Sequence, residues 1–366
     1  MRPITVTQPF LPPLEEFEPY LRQIWSSRVL TNCGPLHQEL ERELARYLGI
    51  EHLSLFANAT IAMIVALQVL DLTGDVITSP FSFVAGAHAL RWQQLRPVFV
   101  DIDPDTLNLD PSRIEAAITP ATRAILPVHC YGNPCAIDAI QAIADRHGLR
   151  VIYDAAHAFG IRLRGESVLT AGDLSVLSFH ATKVFSTFEG GAIVCHDEAT
   201  KARIDRLRNF GFVDEVTVRE VGLNAKMSEV HAAFGLLQLR HIDEAIARRA
   251  EIAARYRRGL ANVPGIRCVG HGAQDRPNHT YFPVRVETGY SRTRDGLFEH
   301  LKTQGVYARR YFHPLISDFP AYREESRAIT MPLPEATQAA QEILCLPIYP
   351  AMLDADVDRV LSLVAT

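Results

Sequence analysis

The chain has 366 residues, 48% hydrophobic and 22% charged, with a formal charge of −5 from 37 Lys+Arg against 42 Asp+Glu. That length exceeds what one hydrophobic core usually serves, so a large domain plus a smaller one is expected, and the composition excludes a disordered or fibrous chain. The negative balance offers no general attraction to nucleic acid or anionic membranes, and the longest unbroken apolar run, residues 61–67, is far short of the roughly 18 residues of a membrane span.

Residues 1–13 lack an apolar leader core, so a cytoplasmic protein is expected. Six scattered cysteines without a C-x-x-C pair read as reduced thiols, not as a disulfide frame or zinc knuckle. Residues 1–30 read as an N-terminal extension. The first helix is expected over 36–48, with apolar residues at 36, 40, 44, 47 and 48 and Gly49 to end it. Short apolar runs at 52–56, 76–78, 98–100, 124–128, 151–153, 174–178 and 192–195 read as strands, with helical stretches near 59–70, 84–94, 111–118 and 135–147 between most of them. Strands alternating with helices imply βαβ units and a mostly parallel sheet between helices, hence a large α/β domain over 31–245. From Lys226 to about Leu260 a long helical tract reads as a connector. Beyond it, strands near 281–286 and 306–311 and helices near 292–304, 334–344 and 353–364 make 246–366 a smaller α+β domain.

In an open parallel sheet ligands sit beyond the carboxyl ends of the strands. Asp154 directly follows the apolar run 151–153, where a carboxylate must find a partner; a helix N-cap is the plainer alternative. Lys183 lies five residues past a strand in mostly uncharged surroundings. Burial there would lower its pKa, as a Schiff-base lysine requires, whereas an isolated lysine is ordinarily a solvated surface residue. Together the two residues fit a pyridoxal phosphate site, the lysine holding the aldehyde and the aspartate keeping the pyridine nitrogen protonated. Asn58-Ala59-Thr60 opens a helix and supplies hydroxyl and amides for a phosphate, or simply a cap. No G-x-G-x-x-G follows a strand, and Gly160 to Gly165 is followed by Glu166-Ser167 instead of the Lys-Ser/Thr of a phosphate loop. His129, His157, His180, His231 and His313 lack metal-ligand spacing, so no metal is expected.

These segments together resemble the DegT/DnrJ/EryC1/StrS family of sugar aminotransferases, pyridoxal phosphate enzymes of fold type I. The likeness is carried by Thr31-Asn32-Cys33-Gly34-Pro35, Asn58-Ala59-Thr60, Pro80-Phe81-Ser82-Phe83, Asp154-Ala155-Ala156-His157, Ser178-Phe179-His180-Ala181-Thr182-Lys183, Glu189-Gly190-Gly191 and the run from Gly222 to Glu229. The resemblance implies that Lys183 is the Schiff-base lysine, that Asp154 partners the pyridinium nitrogen and that His157 reaches the cofactor's 3-hydroxyl. It also implies that Ser178 and the amides of Ala59 and Thr60 bind phosphate, and that Phe83 stacks on the ring, with a core phenylalanine beside Phe81 as the alternative. Asn224 matches an asparagine that reaches the partner's site, so a homodimer with active sites at the subunit interface is implied. Arg309, Arg310, Tyr311 and His313 occupy the segment that faces the sugar nucleotide, where arginine can pair with pyrophosphate.

Within the family, the motifs look most like enzymes that aminate a dTDP-4-keto-6-deoxyhexose at C4, with L-glutamate as donor, for amino-sugar and O-antigen lipopolysaccharide biosynthesis. C3 amination of a dTDP-3-keto-6-deoxyhexose is the alternative. Sugar 3-dehydratases of the family carry histidine where Lys183 stands, and a non-catalytic pyridoxal-phosphate-binding regulator would not need the intact set.

Overall fold

The computed structural model describes residues 2–270, 275–323 and 331–366. A short strand β1 (Ile4–Thr5) precedes helices α1 (Leu14–Ser27) and α2 (Pro35–Leu48). There follow β2 (His52–Phe56), α3 (Ala59–Val69), β3 (Asp75–Thr78), α4 (Ala85–Trp92), β4 (Arg96–Phe99), α5 (Pro111–Ile114), β5 (Thr122–Leu126), α6 (Ile137–His147) and β6 (Arg150–Asp154). A small hairpin, β7 (Arg162–Leu163) and β8 (Glu166–Ser167), leads to β9 (Leu174–Ser178), β10 (Gly191–Cys195), α7 (Glu198–Leu207) and the long α8 (Glu229–Leu260). The remainder is β11 (Ile266–Cys268), β12 (Phe282–Val286), α9 (Arg294–Thr303), β13 (Val306–Tyr307), α10 (Pro334–Glu342), β14 (Ile343–Leu346) and α11 (Asp354–Ala365).

The main sheet has seven strands in the order β2-β10-β9-β6-β5-β3-β4. Every described pairing in it is parallel except those of β10, which runs antiparallel to both β2 and β9. Strands β3 and β9 are buried along their whole length, because helices cover both faces; that is why they read as continuous apolar runs without alternation. A second, antiparallel sheet, β11-β12-β14, packs with α9, α11 and the end of α8.

Helix α8 serves both cores without a break. Ala232, Phe234, Leu237, Ile242 and Ile246 pack with α1 and α2, and Ile252, Tyr256 and Leu260 pack with β12 and α11. Its first residue, Glu229, is buried and caps α2: the carboxylate accepts the N–H groups of Leu36 and His37, both at 2.9 Å. Those are orphan donors of a helix start, where a negative charge also meets the positive end of the macrodipole.

Residues 1–30 do not form a separate extension. Ile4 joins the core beneath β12, Phe17 and Ile24 pack against α8, and β1 pairs in parallel with β13. Helix α1 escapes the sequence pattern because Pro19 lies inside it; a proline there reads as a helix breaker, and burial of the apolar face outweighs the lost hydrogen bond. Polar α7 also goes unforeseen, though Asp197 caps it by accepting Thr200 N–H at 2.9 Å. The expected helix at 111–118 is only the single turn α5 followed by a 3-10 turn. The expected strand at 306–311 ends at Tyr307, beyond which Arg309 makes one bridge to Cys345. All six cysteines are free, and no helix among the described residues is long and apolar enough to cross a membrane.

Candidate active site

Several strands of the main sheet deliver their carboxyl ends to one cavity of about 260 Å³. Beyond β2 lie Asn58, Ala59 and Thr60; beyond β6, Asp154 and His157; beyond β9, Ser178 and Lys183. Tyr281, Tyr311 and Phe312 close it from the side of the smaller sheet.

At β2 the chain leaves the sheet extended through Asn58, whose side-chain oxygen accepts Ile61 N–H at 2.9 Å. This cap leaves the amides of Ala59 and Thr60, which line the cavity, outside the intrahelical ladder at the positive end of α3. Strand β10 approaches closely here because Gly191 has no side chain: a Cβ would lie 2.7 Å from both N and Cα of Ala59.

At β6 the backbone of Asp154 is held to the segment that follows β5, its N–H on Pro127 O at 2.9 Å and its carbonyl accepting His129 N–H at 3.1 Å. Its side chain accepts Ala156 N–H at 3.0 Å. Burial raises the Asp154 pKa, opposed by that hydrogen bond and by the charge of Lys183. His157 is buried, and its Nδ1 accepts Tyr131 N–H at 3.3 Å, so the neutral ring carries its proton on Nε2. Burial, then the charge of Lys183, pushes the His157 pKa well below the ordinary range.

Lys183 sits on a loop closed at its base by Phe179 N–H on Gly190 O and Thr187 N–H on Phe179 O, each at 2.9 Å. The next residues, Val184 and Phe185, are buried, and Phe185 stacks on Phe159 at 4.6 Å. Lys183 Nζ lies 5.9 Å from the centre of the Tyr281 ring. Burial lowers its pKa to about 8, with Asp154 acting in the opposite sense. A lysine in this state keeps an appreciable neutral fraction near physiological pH, as a nucleophilic amine needs.

Of the residues singled out in the sequence, Ala59, Thr60, Phe83, Asp154, His157, Ser178, Lys183 and Tyr311 line this cavity. Phe83 is 61% exposed at the rim while Phe81 is fully buried, which removes the core alternative for Phe83. Asn224, Arg309, Arg310 and His313 do not line it. Asn224 is exposed and accepts a hydrogen bond from Lys226 Nζ at 2.9 Å. Arg310 is paired with Asp295 at 3.0 Å and lies over the Phe298 ring. Tyr281 and Phe312 received no role from the sequence; they enter from segments far along the chain, beyond α8, and nothing in their spacing points to the cavity. Among the described residues no group of three or more His, Cys, Asp or Glu is placed to hold a metal ion.

The residues present fit pyridoxal phosphate. A partly neutral amine stands ready for an aldehyde, a half-buried carboxylate with one oxygen hydrogen-bonded can face a ring nitrogen, and the free amides of α3 with Ser178 can take a phosphate.

The chain belongs to the DegT/DnrJ/EryC1/StrS aminotransferase family, whose model matches residues 14–365; the family depends on pyridoxal phosphate. The chain is 55% identical over 356 residues to dTDP-4-amino-4,6-dideoxy-D-glucose transaminase of Shigella dysenteriae, covering 97% of this chain and 96% of the relative. It is 52% identical over 347 residues to the enzyme of the same name from Escherichia coli, covering 94% of each. Among solved structures, DesI in the presence of its TDP-sugar product superposes with a TM-score of 0.95 at 40% identity, covering 100% of this chain and 93% of DesI.

Proposed function

We propose that this enzyme transfers the amino group of L-glutamate to C4 of dTDP-4-keto-6-deoxy-D-glucose, giving dTDP-4-amino-4,6-dideoxy-D-glucose. The observation that carries the reading is the 55% identity over 97% of the chain to a transaminase of that name, together with the gathering of Lys183, Asp154, His157 and the α3 amides around one cavity. Bound pyridoxal phosphate supplies the electron sink and stores the amino group between the two halves of the reaction. Lys183 Nζ takes the proton from the α-carbon of glutamate and later returns one to C4 of the sugar. Asp154 holds a negative charge against the ring nitrogen, and His157 donates from Nε2. Both carbonyl substrates use the same cavity in turn, so ping-pong kinetics are expected.

The test incubates the holoenzyme with L-glutamate, which should convert an absorbance band near about 410–430 nm to one near about 330 nm. dTDP-4-keto-6-deoxy-D-glucose should then restore the first band, with the product aminated at C4 by NMR. Amination at C3, or restoration only by another nucleotide sugar, overturns the substrate assignment.

The same reading makes the active form a homodimer in which Asn224 reaches the partner's site. It is supported by an exposed apolar strip, Phe210, Phe212, Val213, Val218, Val221 and Leu223, beside Asn224. Light scattering should give twice the 40.8 kDa of the chain, and Val221→Asp should shift it toward monomer with loss of activity; a fully active monomer would exclude the shared site. The reading further places the enzyme in the cytoplasm, serving amino-sugar supply for O-antigen lipopolysaccharide. Recovery of activity only with the membrane fraction of a lysate would count against that location.

A further inference from the structure

We propose that Asn278 is a positioning residue of the active site: its one buried amide ties the segment carrying Tyr281 to the loop carrying His157, and so holds both rings against Lys183. This rests on the reading of Lys183 and His157 as cofactor residues.

Asn278 is 2% exposed. Its Nδ2 donates to His157 O at 2.8 Å and to Phe159 O at 3.0 Å, and its Oδ1 accepts Thr280 N–H at 3.0 Å. Both amide protons are therefore spent on the loop beyond β6, and the oxygen turns back on its own segment. The approach is close enough to demand a glycine opposite: at Gly132, with φ +85°, a Cβ would lie 2.9 Å from His157 O and 3.1 Å from Asn278 Oδ1. His157 is thus held at its carbonyl by Asn278 and at its ring by Tyr131 N–H.

The residue next to Asn278 is fixed as well. Buried Arg249 of α8 donates to His279 O at 3.4 Å and to Ile348 O at 2.9 Å. Tyr281 lies between these anchors and β12, where Phe282 pairs with Leu346, and its ring stands edge-on to His157 at 5.0 Å with its centre 5.9 Å from Lys183 Nζ. Neither aspartate nor alanine makes the same bridge. Aspartate would set a carboxylate against two carbonyl oxygens, and alanine would leave both carbonyls buried without a donor. Cofactor-facing groups lose function steeply when displaced by about 1 Å, so the effect should reach chemistry that Asn278 does not touch.

The experiment compares wild type with Asn278→Ala and Asn278→Asp, and with Gln238→Ala as a structural control. Gln238 is as buried, and its amide makes one bond, to Phe10 O at 2.7 Å, away from the cavity. The readouts are the dissociation constant of pyridoxal phosphate from quenching of intrinsic fluorescence, the circular dichroism of the holoenzyme band near about 420 nm, which reports how the ring is held, and the melting temperature. Asn278→Ala should weaken pyridoxal phosphate binding about tenfold or more and at least halve the dichroic band. Its kcat should fall more than the KM for glutamate rises. Gln238→Ala should lower the melting temperature with affinity and dichroism unchanged. If Asn278→Ala binds the cofactor within twofold of wild type with an unaltered dichroic band, whatever its melting temperature, the proposal is wrong. Should the alanine variant fail to fold, Asn278→Ser carries the same readouts. A Lys183→Ala protein that keeps the wild-type band would instead overturn the site itself, which keeps the two failures apart.

Discussion

Lys183→Ala should lose the 410–430 nm band and at least about a thousandfold in kcat, because the proposed reaction has one amine both hold the aldehyde and move the proton. The pH dependence of the intact apoenzyme gives a second check on the same nitrogen. Burial sets its pKa at about 8, and only the neutral amine attacks an aldehyde. Below that value the neutral fraction falls tenfold per pH unit, so the rate at which apoenzyme captures pyridoxal phosphate should rise with pH through about 8 and level off above it. Stopped-flow absorbance measures this directly. A plateau reached only near the ordinary lysine value of 10.5 would mean that the cavity does not desolvate Lys183 as the structure describes.

Asp154→Asn should act in opposite directions on activity and on stability. The amide keeps the shape of the carboxylate but not its charge, and loss of one electrostatic partner of a developing charge typically costs about 100- to 1000-fold in kcat. Stability moves the other way. The folded state raises the Asp154 pKa even with Ala156 N–H and Lys183 helping the ionised form, so the carboxylate costs stability at every pH above its unfolded value, neutral pH included. The asparagine apoenzyme should therefore melt higher than wild type while being far less active, a trade-off common where a site is built against stability. The Lys183 midpoint should also drop below about 8, since the attraction of Asp154 opposes its desolvation. A variant that melts lower and keeps wild-type kcat would show that Asp154 is a structural cap and not the ring partner.

Strand-end residues are legible in the sequence because their chemistry is local. Asp154 after a buried strand, Lys183 before Val184-Phe185, and Asn58 capping α3 each follow from a few neighbouring residues, and the structure brings the three to one cavity. Alternation of apolar runs with helical stretches likewise specifies a mostly parallel sheet, since a strand buried on both faces must be apolar throughout. Helix α1 is not legible, because Pro19 contradicts the helix locally and only packing of Phe17 and Ile24 against α8 makes it form.

Sequence alone, then, determined the family and the cofactor, because those rest on side-chain types at fixed short spacings. Tertiary structure alone decided which residues after α8 reach the cavity, placing Tyr281, Tyr311 and Phe312 there and leaving Arg309, Arg310 and His313 outside. It also decided that Glu229 caps α2 across 193 residues of chain and that Asn278 bonds His157 across 121. The physical reason is the same in each case: a hydrogen bond or ring contact between distant segments depends on how two cores dock, and no periodicity along the chain encodes that distance.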